Sequence, residues 1–162
     1  MFFRKKVQLP QVGTRAPEFR LARLGGGEAA LADLLAAGPA LLVFFKVSCP
    51  VCQMTLPFLE RIHAGGGLPV YGISQNDGPE TRRFAQDYGL RFPMLLDAED
   101  DGFPASNAYG ISHVPTTFLV EPDGTVGRLV EGWIKQDILW LGARAGVNPI
   151  AADDHVPEWK AG

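Results

Sequence analysis

Cysteine is scarce in this chain: Cys49 and Cys52 are the only two among 162 residues, and they lie three positions apart. A small secreted protein held together by disulfides needs more cysteines, spread along the chain. A zinc site built from four cysteines is also excluded. The pair is therefore either redox-active or one part of a small mixed metal site.

An excess of basic residues is also missing. The chain has 15 Lys and Arg against 18 Asp and Glu, which gives a formal net charge of −3. Proteins that bind nucleic acid or an anionic membrane surface normally carry the opposite balance. We therefore expect neither nucleic acid nor a membrane among the partners.

Long hydrophobic runs are lacking as well. The longest apolar run, residues 34–45, is interrupted by Gly38 and Pro39. It falls short of the roughly 20 residues that a membrane-spanning helix needs. No apolar stretch of signal-peptide length follows the bases near the N-terminus. We therefore expect a cytoplasmic protein.

What the chain has is an ordinary globular composition, with 46% hydrophobic and 20% charged residues. We predict one folded domain over residues 1–146 and a polar, proline-bounded tail over residues 147–162. Trp159 is expected to attach this tail to the body or to a partner. His63 and His155 are expected to lie in solvent.

The apolar pattern predicts alternating strands and helices after an extended segment at residues 13–24. Predicted strands cover residues 40–47, 68–75, 92–97 and two runs within 115–133, and predicted helices cover 31–38, 50–64, 79–89, 105–110 and 134–146. The first of these strands is apolar on both faces, as expected of a central strand covered by helices. The order predicts an α/β fold with a mixed, mostly parallel sheet.

The Cys-x-x-Cys motif lies where this predicted central strand ends and a helix begins. Cys49 falls at the helix N-cap, where unpaired amides and the helix dipole favour an anion over a neutral thiol. Cys52 lies one turn further in and is more buried. Pro50 takes the first helical position, where the helix does not need its missing amide, although that amide is lost as a donor to Cys49. A redox pair, with Cys49 as nucleophile and Cys52 as resolving thiol, is favoured over two inert buried cysteines.

Four segments together resemble the redoxin branch of thioredoxin-fold proteins, which includes TlpA-like and alkyl-hydroperoxide-reductase-related members. They are GTRAPEF (13–19), FFKVSCPVCQMTLPFLERI (44–62), ETRRFAQDYGLRFPMLLD (80–97) and HVPTTFLVEPDGTV (113–126). The resemblance covers about residues 13–145. It implies a thioredoxin-like fold with an N-terminal extension and a helix–strand insertion.

The resemblance also implies an activity, thiol-disulfide oxidoreductase. The redox-active Cys49–Cys52 disulfide would serve without any other cofactor or metal. The partners would be a protein or small-molecule disulfide and a thiol electron donor. The family pattern further implies a cis Val114–Pro115 bond in a loop that faces the cysteines, where the Val114 amide and carbonyl bind an extended substrate peptide.

The chain departs from its relatives at three positions. Val43 stands where thioredoxins keep a buried acid, and Ser48 stands where a Trp commonly precedes the first cysteine. Thr55 replaces the Glu that many TlpA-like reductants carry three residues after the second cysteine. These differences concern proton transfer and the redox potential, and they make Thr55 a candidate modulator.

Two further candidate modulators are basic. The Lys46 ammonium either stabilises the Cys49 thiolate or extends past the sheet into solvent. His113 precedes the Val114–Pro115 bond, and it is either a base or ligand near the sulfurs or an exposed polar residue.

Two other functions stay open on the sequence. A peroxiredoxin-like peroxidase shares the redoxin ancestry, but Lys46 stands where such enzymes place a peroxide-binding Thr. A metal-binding module could use Cys49, Cys52 and His113, since two thiolates suit a soft ion such as Cu(I).

Overall fold

The computed structural model describes residues 7–162. Its strands and helices, in chain order, are β1 (Arg20–Arg23), β2 (Glu28–Ala30), α1 (Leu31–Leu35), β3 (Ala40–Phe45), α2 (Pro50–Ala64), β4 (Val70–Ser74), α3 (Gly78–Tyr88), β5 (Met94–Leu96), α4 (Pro104–Ala108), β6 (Thr116–Val120), β7 (Val126–Glu131), β8 (Trp133–Ile134), α5 (Lys135–Ala145) and β9 (Trp159–Lys160). A 3-10 turn at Glu99–Asp101 lies between β5 and α4. The predicted alternation of strands and helices is confirmed.

Within residues 7–162, seven strands form one mixed sheet in the order β2-β1-β5-β4-β3-β6-β7. Strand β4 pairs in parallel with β3 and with β5, whereas the other neighbours are antiparallel. The mixed sheet is as predicted, but the expectation of mostly parallel pairing is wrong. Both ends of the sheet are hairpins, β1–β2 and β6–β7, and strands joined by a tight hairpin turn are antiparallel.

Strand β3 is buried along its whole length. Phe45 stacks on Phe84 of α3 with ring centroids 5.3 Å apart. Phe44 packs on Tyr109 with centroids 5.0 Å apart. Because successive side chains of a strand point to opposite faces, these contacts show that both faces of β3 are covered. The core therefore surrounds the strand that leads directly into the cysteine motif.

The C-terminal end of α2 is tied to the start of β4 by His63. Its Nδ1 accepts a hydrogen bond from the Val70 N–H at 3.0 Å, and the residue is half-buried. The expectation of a solvated His63 is therefore wrong, because its ring accepts a hydrogen bond from the backbone at the start of β4. His155 is exposed, as expected.

Residues 147–162, predicted as a polar tail, pack back on the body. Ile150 is buried, and β9 pairs antiparallel with β8. The indole N–H of Trp133 donates to the Pro157 carbonyl at 2.6 Å. Trp159 attaches the segment through its backbone in β9, since its side chain is 64% exposed. The division of the chain at residue 146 stays a prediction, and residues 1–6 of the predicted domain lie outside the described residues.

No helix within residues 7–162 is both long enough and apolar enough to cross a membrane.

Candidate active site

The first cysteine caps the helix that follows β3. Cys49 is the N-cap of α2, with extended backbone angles (φ −83°, ψ 116°), and Pro50 begins the helix. The Cys52 N–H donates to the Cys49 sulfur at 3.2 Å. A backbone donor and the positive end of the helix both favour negative charge on this sulfur. Cys49 is partly exposed.

The second cysteine lies one turn into α2 and is fully buried. Burial, first, and the hydrogen bond with Cys49, second, raise the pKa of the Cys52 thiol far above its ordinary range. The charge of Lys46 acts in the opposite direction, but burial outweighs it. Both cysteines are free thiols in the structure. One thiol is therefore exposed to partners, and the other is held protonated beneath it.

The loop before β6 closes over the cysteine motif. The Val114–Pro115 peptide bond is cis. The Cys49 thiol donates to the Val114 carbonyl oxygen at 3.4 Å, and the Pro115 carbonyl accepts the Gly132 N–H at 2.8 Å. Among residues 7–162, the Val114 N–H has no hydrogen-bond partner. Val114 is buried, and among the described residues its N–H is an unpaired backbone donor in the loop that contacts the Cys49 thiol.

Lys46 lies at the end of β3, and its side chain is exposed. Its carbonyl accepts the Cys49 N–H at 3.3 Å. Its side chain lines a polar cleft of about 190 Å³ that also includes Val114, Ser106 and His113. Neither cysteine lines this cleft, so whether Lys46 stabilises the Cys49 thiolate or only extends into solvent stays a prediction.

His113 belongs to the same cleft but is engaged elsewhere. Its Nε2 lies 3.6 Å from a Glu131 carboxylate oxygen, and its Nδ1 shares a hydrogen bond of 2.9 Å with the Ser112 hydroxyl. Neither thiol is among its polar partners in the described structure. Over residues 7–162, no group of three or more His, Cys, Asp and Glu side chains is arranged to hold a metal ion.

Two buried positions near the cysteine motif carry no acid. Val43 is fully buried in β3, and Thr55 of α2 is 1% exposed. The Thr55 hydroxyl has no hydrogen-bond partner among the described residues. The structure therefore offers no carboxylate at the two positions where relatives of this type place one.

One wall of the cleft depends on a buried carboxylate that the sequence did not single out. Asp97, fully buried at the end of β5, accepts the backbone N–H groups of Ala105 and Ser106 at 2.8 and 2.7 Å. It also accepts the Ser106 hydroxyl at 2.5 Å. Gln75 in turn donates to that hydroxyl at 2.9 Å. Asp97 thus fixes the start of α4, which borders the cleft. In the sequence, the only sign of this role is an acid at the end of a predicted strand, with Pro104 following it.

The chain is similar in sequence to known proteins. A model of the AhpC/TSA family matches residues 12–128. The chain belongs to the AhpC/TSA family. Among curated relatives, the thiol-disulfide oxidoreductase ResA of Geobacillus thermodenitrificans (strain NG80-2) is 32% identical over 142 residues, which is 85% of this chain and 79% of that protein. This redoxin is therefore a homologue of thiol-disulfide oxidoreductases, with its Cys-x-x-Cys pair at Cys49 and Cys52.

Solved structures agree on the fold. The thioredoxin domain of a thiol-disulfide oxidoreductase from Bacteroides vulgatus superposes with a TM-score of 0.72 at 22% identity, over 85% of this chain and 99% of that chain. DsbF of Mycobacterium tuberculosis, in mixed oxidised and reduced forms, gives a TM-score of 0.66 at 27% identity, over 79% of this chain and 92% of that chain. The predicted thioredoxin-like fold of this redoxin is confirmed.

Proposed function

We propose that this redoxin exchanges disulfides through Cys49 as nucleophile and Cys52 as resolving thiol, with the Val114–Pro115 loop as the substrate-binding backbone. The observation that carries the proposal is the position of the Cys49 sulfur. It accepts the Cys52 N–H at 3.2 Å and faces the Val114 carbonyl at 3.4 Å. The nucleophile, the resolving residue and the loop thus meet at one exposed sulfur.

The reaction follows from the difference between the two thiols. The Cys49 thiolate attacks one sulfur of a substrate disulfide RS–SR′, forming a mixed disulfide with R and releasing R′S⁻, which takes up a proton. Cys52 then loses its proton and attacks the Cys49 sulfur, which releases RS⁻. The substrate has gained two electrons, and the Cys49–Cys52 disulfide has formed. A thiol donor reverses these steps to restore the dithiol, and the same exchange run backwards oxidises a partner.

Backbone pairing supports polypeptide disulfides as one substrate class. An extended peptide beside Val114 can accept the free N–H of this residue and donate to its carbonyl once the Cys49 thiol is ionised and no longer donates there. Such β-strand addition provides affinity without demanding a particular side chain. The relative named above is a thiol-disulfide oxidoreductase, which agrees with this substrate class.

Lys46 and Pro50 are proposed to affect the reactivity of the Cys49 thiol without reacting themselves. The exposed ammonium of Lys46 lines the cleft beside Val114, and Pro50 starts the helix while offering no amide to the Cys49 sulfur. Thr55 is proposed to modulate the site because it leaves this buried position without a carboxylate. His113 is proposed to modulate it as part of the cleft wall.

A redox titration tests the proposal. The protein is equilibrated in dithiothreitol or glutathione buffers of stepped potential, and the free thiols are counted by a mass tag. We expect Cys49 and Cys52 to titrate together as one two-electron couple, with a potential that gives the direction: about −270 mV for a reductant and about −120 mV for a strong oxidant. Failure to form a reversible disulfide, or rapid saturable peroxide turnover in its place, would overturn the proposal.

A further inference from the structure

The segment Trp159–Gly162, which we call the strap, lies along the edge of the active site. In β9, Lys160 is opposite Trp133 and Trp159 is opposite Ile134. Just before it, the Glu158 carbonyl accepts the Lys135 N–H at 3.0 Å. These contacts are made by the backbone, and they fix the direction in which the chain continues towards the cysteine motif.

Gly132 forms the seat of the strap. Its φ of +76° is in the left-handed region that favours glycine. A β-carbon at this position would lie 2.5 Å from the Lys160 carbonyl oxygen and 3.0 Å from the Gly162 nitrogen. The N–H of Gly132 meanwhile donates to the Pro115 carbonyl at 2.8 Å. One residue therefore joins the strap to the cis-proline loop.

Gly162 touches the loop directly. A β-carbon built on Gly162 would collide with the Val114 carbonyl oxygen, and it would lie 3.2 Å from the Pro115 nitrogen. The glycine backbone therefore fills the space around this oxygen, which is the same atom that accepts the Cys49 thiol. A substrate backbone that approached the Val114 carbonyl from this side would meet the strap.

We propose that the strap determines substrate specificity by occupying the position beside Val114 that an extended polypeptide substrate would take. The inference rests on the proposed role of the loop in substrate binding. A small disulfide without a peptide backbone needs only the exposed Cys49 sulfur, so it reacts with the strap in place. A polypeptide disulfide gains the backbone pairing at Val114 only after the strap has moved away.

Displacement of the strap is compatible with a folded body. All four of its residues are exposed, and β9 is only two residues long. Short, exposed segments with few buried contacts are the parts of a protein that open first. The buried ring of Trp133 holds Pro157, just before the strap, so the strap can lift while the preceding turn stays attached.

The substitution Gly162→Val tests the proposal, because its side chain would press against the Val114 carbonyl and push the strap off the loop. Gly25→Val is the matched control, since a β-carbon at Gly25 meets nothing within 4 Å. The reduced proteins are mixed with cystamine, which has no peptide backbone, or with insulin, and both rate constants are measured. The ratio of the insulin to the cystamine rate constant should rise about tenfold in Gly162→Val and stay unchanged in Gly25→Val. A tenfold change corresponds to about 1.4 kcal/mol, which is the size of one backbone hydrogen bond gained by the substrate at the uncovered Val114 carbonyl.

A second measurement does not depend on that variant. In Cys52→Ser, Cys49 is trapped as a mixed disulfide with either cysteamine or a cysteine-containing peptide, and amide exchange of residues 158–162 is followed by mass spectrometry. We expect faster exchange with the peptide and no change with cysteamine. An unchanged rate ratio together with equal protection in both adducts would refute the strap proposal. A wild-type protein that exchanges with neither cystamine nor insulin would instead refute the proposed function.

Discussion

The thiol of Cys49 and the carbonyl of Val114 lie 3.4 Å apart, although 65 positions separate them in the chain. Cys49 follows the central strand β3 as the N-cap of α2, and Val114 precedes the neighbouring antiparallel strand β6. Pairing of these two strands therefore brings the proposed nucleophile and the loop together. The geometry of the site is therefore a consequence of sheet register.

Serine substitutions should separate the two steps of exchange. Cys49→Ser should lose reaction with cystamine altogether, because the exposed sulfur is gone. Cys52→Ser should still react once and then stop as a stable mixed disulfide at Cys49, since nothing remains to resolve it. Intact-protein mass spectrometry after a brief exposure to cystamine distinguishes the two products. An adduct on Cys52 in the Cys49→Ser variant, formed at the wild-type rate, would show that Cys52 and not Cys49 is the nucleophile.

Replacement of Lys46 should slow alkylation of the first thiol. The exposed Lys46 lines the same cleft as Val114, whose carbonyl lies 3.4 Å from the Cys49 sulfur. We expect its charge to favour the thiolate that reacts with iodoacetamide. Partly exposed charge pairs contribute about 0.2–1 kcal/mol, so Lys46→Met should lower the alkylation rate at pH 7 by roughly 1.5- to 5-fold. Lys46→Arg keeps the charge and should restore most of the rate. Equal rates in all three proteins would show that the lysine only extends into solvent.

The position of the Cys-x-x-Cys motif between a strand and a helix could be predicted from the sequence, because its determinants are local. An apolar run of strand length ends just before Cys49, and Pro50 suits the first turn of a helix. These signals lie within a few residues of one another, so they can be recognised without knowledge of the fold. The role of the Val114–Pro115 loop entered only through family resemblance, since no local pattern says which loop will meet a given thiol.

The parts that the sequence missed depend on distant backbone contacts. Gly132 contacts the strap through main-chain atoms of Lys160 and Gly162. No hydropathy pattern encodes such backbone contacts. His63 was expected in solvent because its acceptor role towards Val70 appears only when α2 and β4 are adjacent.

Stability of the reduced protein should fall at alkaline pH because of Cys52. Burial raises the pKa of this thiol in the folded state, so the unfolded chain releases the proton first as the pH rises. Above the ordinary cysteine value of about 8.5, the unfolded state binds fewer protons, and the free energy of unfolding decreases by up to about 1.4 kcal/mol per pH unit. Urea unfolding between pH 7.5 and 9.5 measures this slope. The window stays below the region in which Tyr109, whose pKa burial also raises, begins to contribute.

The oxidised protein is the control for this slope. Its Cys49–Cys52 disulfide has no thiol to titrate, so its stability should change less over the same pH range. A reduced protein whose unfolding free energy is as flat as that of the oxidised form would show that Cys52 is not held protonated by the fold.

Two buried threonines should respond in opposite directions to the same substitution. The Thr55 hydroxyl has no partner among the described residues, whereas the Thr81 hydroxyl shares a hydrogen bond of 2.6 Å with Ser74. Valine has nearly the shape of threonine without its polar group. Thr55→Val therefore removes an unpaired buried hydroxyl and should stabilise the protein by about 1 kcal/mol. Thr81→Val leaves Ser74 without that partner and should destabilise it by about 1–3 kcal/mol.

Urea unfolding of both variants in the oxidised form, where the cysteines do not titrate, gives the comparison directly. If Thr55→Val loses stability as Thr81→Val does, the Thr55 hydroxyl has a partner, such as a buried water, that contributes to the fold. The position would then be a polar site one helical turn after Cys52. A gain in stability with an unchanged rate of cystamine reduction would instead mean that exchange in this redoxin does not depend on the Thr55 hydroxyl.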